Sequence, residues 1–265
     1  MRTRMVRVRR AAPARRIVAL LVLTLAAFLW LSLRRGDPVD AILSARDAER
    51  TRVGVTFDAL ELHAVRTAVC DSEEAARVEA ARYMPRGAAG YVLRREAWHV
   101  LACGYETAAE AERVRDHLRE AEGMTCDAVS LVCEPVRLRV TATAEQTEAL
   151  TACEEKLRGT ATLVGALSGA IDRGDASVSQ ALGVLKSQRE QLCAARKRLE
   201  SAAGERIDAV VCGPLAAMAR QAEEGLDALT GDGSMLPDTL FSGRMKALFL
   251  ALRVAEIEYL SRLGG

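Results

Sequence analysis

Residues 99–118, HVLACGYETAAEAERVRDHL, decide the fold. They open as an apolar run and then enter a segment whose apolar positions, Ala111, Val114 and Leu118, step by three and four. An apolar run reads as a strand, and the three-four spacing reads as one face of a helix. Thr107 and Glu110 stand at capping-box spacing between them, so the Thr107 hydroxyl can accept from an orphan helix N–H while the acid suits the positive helix end. Residues 69–76, VCDSEEAA, make the same passage from strand to helix, with Asp71 and Glu74 at the corresponding places.

Working outward, Tyr91–Leu93 and Ala97–Gly104 form a hairpin around Arg94, Arg95 and Glu96. Val55–Val69 and Asp127–Val140 supply a strand at each end. The order is β-α-β-β-α-β, and its pseudo-repeat predicts a ferredoxin-like split βαβ domain over residues 55–142. From Thr143 no strand pattern remains. Thr143 with Gln146 and Ser177 with Gln180 cap two helices. A third carries Ile207, Val211 and Leu215 around Gly213–Pro214, and a fourth carries Phe241, Met245, Leu248, Leu252, Ala255 and Tyr259. Residues 143–265 are expected to be an all-α helical bundle. The fold class read from the sequence is therefore α+β, preceded by a transmembrane helix.

That helix is read from residues 17–33, IVALLVLTLAAFLWLSL, an uncharged run of 17 residues between Arg15–Arg16 and Arg34–Arg35. It spans about 26 Å, the short end for a bilayer, and arginines at both ends can snorkel. Seven arginines precede it and two follow. The positive-inside rule then predicts a single-pass protein of a bacterial cytoplasmic membrane, N-terminus cytoplasmic and bulk outside. Residues 1–16 become a cytoplasmic basic tail and 34–54 a linker. A cleaved signal peptide is the competing reading, and no small-x-small site follows Leu33 to favour it.

Charge is divided as sharply as hydropathy. Residues up to Arg35 hold nine arginines and no acid, so the remainder has 28 basic against 36 acidic side chains, a net of −8. An acidic body argues against a nucleic-acid surface, and no nucleic-acid partner is expected.

Residues 60–140 resemble the SPOR domain, the sporulation-related repeat of bacterial division and envelope proteins. The resemblance rests on His99-Val100-Leu101-Ala102-Cys103-Gly104-Tyr105 leading through Glu106-Thr107 to Ala108-Ala109-Glu110-Ala111. Ala68-Val69-Cys70 matches it more loosely, standing where that family tends to read Gly-Ser-Phe. The resemblance implies binding to glycan strands of peptidoglycan, through a sheet face left bare of helices, in cell division or sporulation. In that register Arg66 lies beside Trp98 and Val100. Trp98 is then a stacking platform for a sugar, and Arg66, Arg94 and Arg95 are hydroxyl-binding candidates. Leu62, Ala64 and Ala102 share the face, which is apolar for a sugar groove. In the alternative reading the C-terminal helices cover it, Trp98 is core, and the protein is a scaffold whose helices bind a protein partner.

Seven cysteines and three histidines complete the inventory. Cys153 falls on an apolar stripe. In the strand arrangement Cys70 and Cys103 end neighbouring strands, making them the disulfide pair to test. No Cys or His spacing suits zinc, no glycine-rich phosphate loop or nucleophile elbow occurs, and neither a cofactor nor an enzymatic activity is expected.

Overall fold

The computed structural model describes residues 50–204 and 210–265. Residues 52–265 form one compact unit. Six strands are described: β1 (Thr51–Phe57), β2 (Leu60–Cys70), β3 (Tyr91–Arg94), β4 (Trp98–Tyr105), β5 (Asp127–Cys133) and β6 (Val136–Ala142). The helices are α1 (Glu73–Tyr83), α2 (Ala108–Glu122), α3 (Ala144–Asp172), α4 (Val178–Ala203), α5 (Cys212–Asp232) and α6 (Asp238–Gly264). The main sheet has the order β3-β4-β2-β5, every neighbouring pair antiparallel.

Each terminal strand read from the sequence is in fact two. β1 and β6 leave the main sheet and pair with each other as a two-stranded sheet. Pro135 separates β5 from β6, and a residue without an N–H interrupts a ladder. Helix starts follow local chemistry. Thr107 accepts from the Glu110 N–H, and full capping boxes stand at Thr143/Gln146 and Ser177/Gln180. At α1 the cap is Ser72, which accepts from the Ala75 N–H, and not Asp71.

The predicted membrane span, residues 17–33, lies outside the described residues. Among those described, no helix is long and apolar enough to cross a membrane. The expectation of an N-terminal transmembrane helix ahead of the α+β domain, and of a single-pass protein of the bacterial cytoplasmic membrane, is corrected accordingly: what is described is an α+β fold of six helices and two small sheets. The reason is charge. α3 and α6 are 29 and 27 residues long, ample for a bilayer, but Arg253, Glu256 and Glu258 interrupt α6, as Glu154, Lys156 and Arg158 interrupt α3.

α6 organises the core. Its Phe241, Met245, Leu250 and Leu260 are buried in the cluster that also contains Leu62, Leu101 and Leu131 of the main sheet and Leu157 and Val164 of α3. Its far end meets the small sheet, where Phe57 packs edge-on to Tyr259 with ring centroids 6.2 Å apart. The approach to the main sheet is close enough to require glycine at Gly104, where a Cβ would fall 2.6 Å from a Leu250 methyl and 3.0 Å from both Leu62 and Phe249.

Charge completes the attachment. Arg253, 2% exposed, donates to Glu106 at the β4–α2 junction, to Thr162 of α3 and, at 2.9 Å, to Glu256. Lys246 donates to the Gly87 carbonyl at 2.8 Å and pairs with Asp172 at 2.7 Å. Burial holds the Glu256 carboxyl above its ordinary range despite Arg253. At Glu106 burial also pushes upward, but the bonds from Thr162 and Arg253 outweigh it and the carboxyl lies below its usual range.

Candidate functional site

Arg66 and Trp98, two of the expected glycan residues, lie on the central strands β2 and β4 of the main sheet, where two irregularities decide their fate. β2 and β4 pair as Val65↔Cys103, then Arg66↔Leu101, then Ala68↔Val100. Ala102 is skipped on one strand and Thr67 on the other, and each skip turns the following side chains over. Leu101 consequently packs in the α6 cluster, whereas Val100 and Trp98 pack with Ala76 and Ala80 of α1. Arg66, the partner of Leu101, is thus on the opposite face from Trp98 and Val100. The single face expected for Arg66, Trp98 and Val100 does not exist.

Arg66 is also engaged. Its Nε and Nη2 grip the Asp127 carboxylate as a fork, and Nη1 lies 2.9 Å from His99 Nδ1. Burial and the Arg66 guanidinium push the His99 pKa down. Below about pH 6.5 the unfolded chain takes up a proton here that the folded chain resists, so stability falls as pH drops from about 6.5 through the lowered folded value. His99→Gln is expected to flatten the pH dependence of the melting temperature between about pH 5 and 7, while leaving it unchanged near pH 8.

Trp98 and Arg94 do meet. The Arg94 guanidinium lies 5.2 Å from the indole centroid, and Arg95 sits exposed in the turn beyond. Half-buried Trp98 is held between that cation and α1. A cation thus already stacks on the ring that sequence reasoning offered to sugars.

Cys70 and Cys103 are both free. Cys70 is the partner of Trp98 and Cys103 of Val65, so antiparallel pairing puts them at opposite ends of the β2–β4 ladder. Five strand positions correspond to roughly 17 Å, far beyond the ~7 Å limit for a bridge. The expected disulfide is incompatible with this arrangement. Burial raises the Cys103 thiol pKa and pushes that of Cys153 up to about 12. Iodoacetamide at pH 8 should therefore modify half-exposed Cys70 and Cys193 in the native protein and reach Cys103 and Cys153 only after unfolding. Peptide mapping reads the result.

A second polar row, on the opposite face of β2 from Arg66 and Asp127, was not anticipated. His63, 7% exposed, places Nδ1 2.7 Å from Ser130 Oγ and Nε2 3.0 Å from Glu61. In the neutral ring the proton on Nε2 goes to Glu61, and Nδ1 accepts the Ser130 hydroxyl. The order Ser–His–Glu resembles a nucleophile relay, but Ser130 is the direct cross-strand partner of His63 and Glu61 lies two residues before it. Neighbours of that kind arise from sheet registry alone, and the row pins β5 to β2. Only the β5 register, invisible in sequence, joins them. Among the described residues no group of His, Cys, Asp and Glu is arranged to hold a metal.

No family model, curated protein or solved structure matches this chain.

Proposed function

We propose that the unit of residues 52–265 is an interaction scaffold for a protein partner and that its central sheet face is a packing surface. The observation that carries this reading is α6 lying on that face, with Gly104 against Leu250 and with Leu62 and Leu101 fully buried beneath it. A glycan strand needs an open face with free hydrogen-bonding groups. Here the face is apolar and filled, and Arg66 is already paired. Peptidoglycan recognition is the second reading. It would have to use the Arg94–Trp98 stack with Arg95 at the hairpin tip.

Sedimentation with purified sacculi separates the two. The full chain is expected to stay in the supernatant. Photo-crosslinkers at exposed positions are expected to give discrete protein adducts in cells. Recovery in the pellet, lost in Trp98→Ala with its fold intact, would reverse the order of the readings.

A further inference from the structure

β2 is longer than the neighbour on its outer side. β5 pairs with Leu60–Arg66 and stops. Thr67–Cys70 therefore have β4 on one side and, among the described residues, no strand on the other. Such a half-edge leaves backbone donors and acceptors pointing outward, a template for another strand. Beside it runs an open groove of about 640 Å³ between β2 and α1, with Ala68, Val69, Cys70, Ala75 and Val78 among its walls. Val69 is 53% and Val78 58% exposed, two large apolar side chains left in water at one place.

The groove wall carries Arg82 as well as Glu74 and Glu79, but the charges left unpaired around it are acidic. Glu79 is paired with Arg82, and Glu73 with Arg77. Glu74, on the groove wall, and Asp71, between wall residues Cys70 and Ser72, make no hydrogen bond or ion pair to another side chain among the described residues. An apolar floor with unpaired carboxylates suits an extended segment that alternates small apolar and basic side chains, since a strand's period of two sends one set into the groove and the other to the rim. A second copy of the chain fits less well, because pairing two such edges would bring Asp71 and Glu74 of both copies together.

We propose that the half-edge Thr67–Cys70 and the β2–α1 groove form a docking site for an extended, basic-apolar peptide segment of a partner protein, which adds as a short fifth strand to the main sheet. This rests on the interaction-scaffold reading and names the surface and the chemistry of its partner. The contact is short, so the segment supplies specificity within a larger complex, and its own affinity depends strongly on salt.

The test uses the full chain and three fluorescein-labelled peptides. One alternates Lys or Arg with Val, one replaces each cation by Glu, and one keeps the cations but is N-methylated at alternate peptide nitrogens. Fluorescence anisotropy should show saturable binding of the first, about tenfold or more weaker binding of the other two, and loss of affinity with added salt. Val78→Lys, a change at an exposed helix position, should weaken the first peptide about tenfold, and Glu74→Gln about threefold with a shallower salt dependence. Equal binding of the methylated peptide would reduce the effect to non-specific charge attraction and overturn strand addition. Absence of binding overturns the proposal, as does a concentration-dependent dimer dispersed by Val78→Lys, which would make the occupant a second copy. Recovery of the protein with sacculi reports separately on the scaffold reading, whatever the peptides do.

Discussion

Arg253→Met is expected to lower the unfolding free energy by about 3–5 kcal/mol, measured by urea denaturation. Arg253 is nearly inaccessible and serves Glu256, Glu106 and Thr162 together. Methionine approximates the volume of the side chain, so packing changes little, but Glu256 is left buried without its hydrogen-bonded cation, with only the more distant Arg158 to offset its charge. Burial already lifts the Glu256 pKa with Arg253 present. Without the guanidinium the carboxyl must protonate or drag water inward. Adding Glu256→Gln to Arg253→Met should return part of the loss, because a neutral amide costs less to bury than a lone carboxylate. A single variant within about 1 kcal/mol of the parent would mean that water reaches this network and that its burial is only apparent.

A chain ending at Leu236 is expected not to fold cooperatively at all. The deleted helix contributes nine buried apolar side chains of valine size or larger. At about 1.5–3 kcal/mol each, they represent on the order of 15–25 kcal/mol of gross burial, more than the roughly 5–15 kcal/mol net stability of a whole domain. Removal also uncovers Leu62 and Leu101, both at 0% exposure. The truncated chain should bind a hydrophobic dye, lose near-ultraviolet circular dichroism and melt without a sharp transition. A cooperative melt in that chain would show that residues 52–236 carry a sufficient core of their own, and would sink the account of α6 as the central element.

Local chemistry was the legible part of this fold. The capping boxes at Thr143 and Ser177 need only residues three apart, and so they could be read directly. The stripe assigned to α6 captured Phe241, Met245, Leu252 and Tyr259 but missed Phe249, Leu250, Val254, Ile257 and Leu260, all of them buried. A helix packed on both sides has no polar face, and periodicity reports one stripe where there are two. Arg253 was hidden for the same reason, since a charge in an apolar helix looks like its solvent side until the far side is known to be covered.

The candidate site was less legible, because its geometry depends on register. Period-two alternation carried through Thr67 and Ala102 puts Arg66 with Trp98, and two skipped residues put them on opposite faces. Nothing in the residue types at 67 and 102 announces a bulge. The Cys70–Cys103 pairing failed from strand direction, since neighbouring strand ends coincide only in a parallel pair. Asp127 and Ser130 gained their partners through the β5 register, across more than sixty residues of chain.

Because α6 follows every strand of the main sheet in the chain, the sheet it covers is made long before its cover. About 150 residues separate Leu101 from Leu250, and at ribosomal rates of roughly 5–20 residues per second that interval lasts about 8–30 s. Throughout it the nascent chain holds Leu62 and Leu101, and once β5 is made Leu131, without the α6 side chains that will shield them. Native closure joins β2, β4 and β5 to α6 across more than a hundred residues of chain, a connection of high contact order and slow formation. The half-made protein therefore exposes the apolar strand surface that chaperones bind, and a ribosome stalled before residue 240 would hold it in that state.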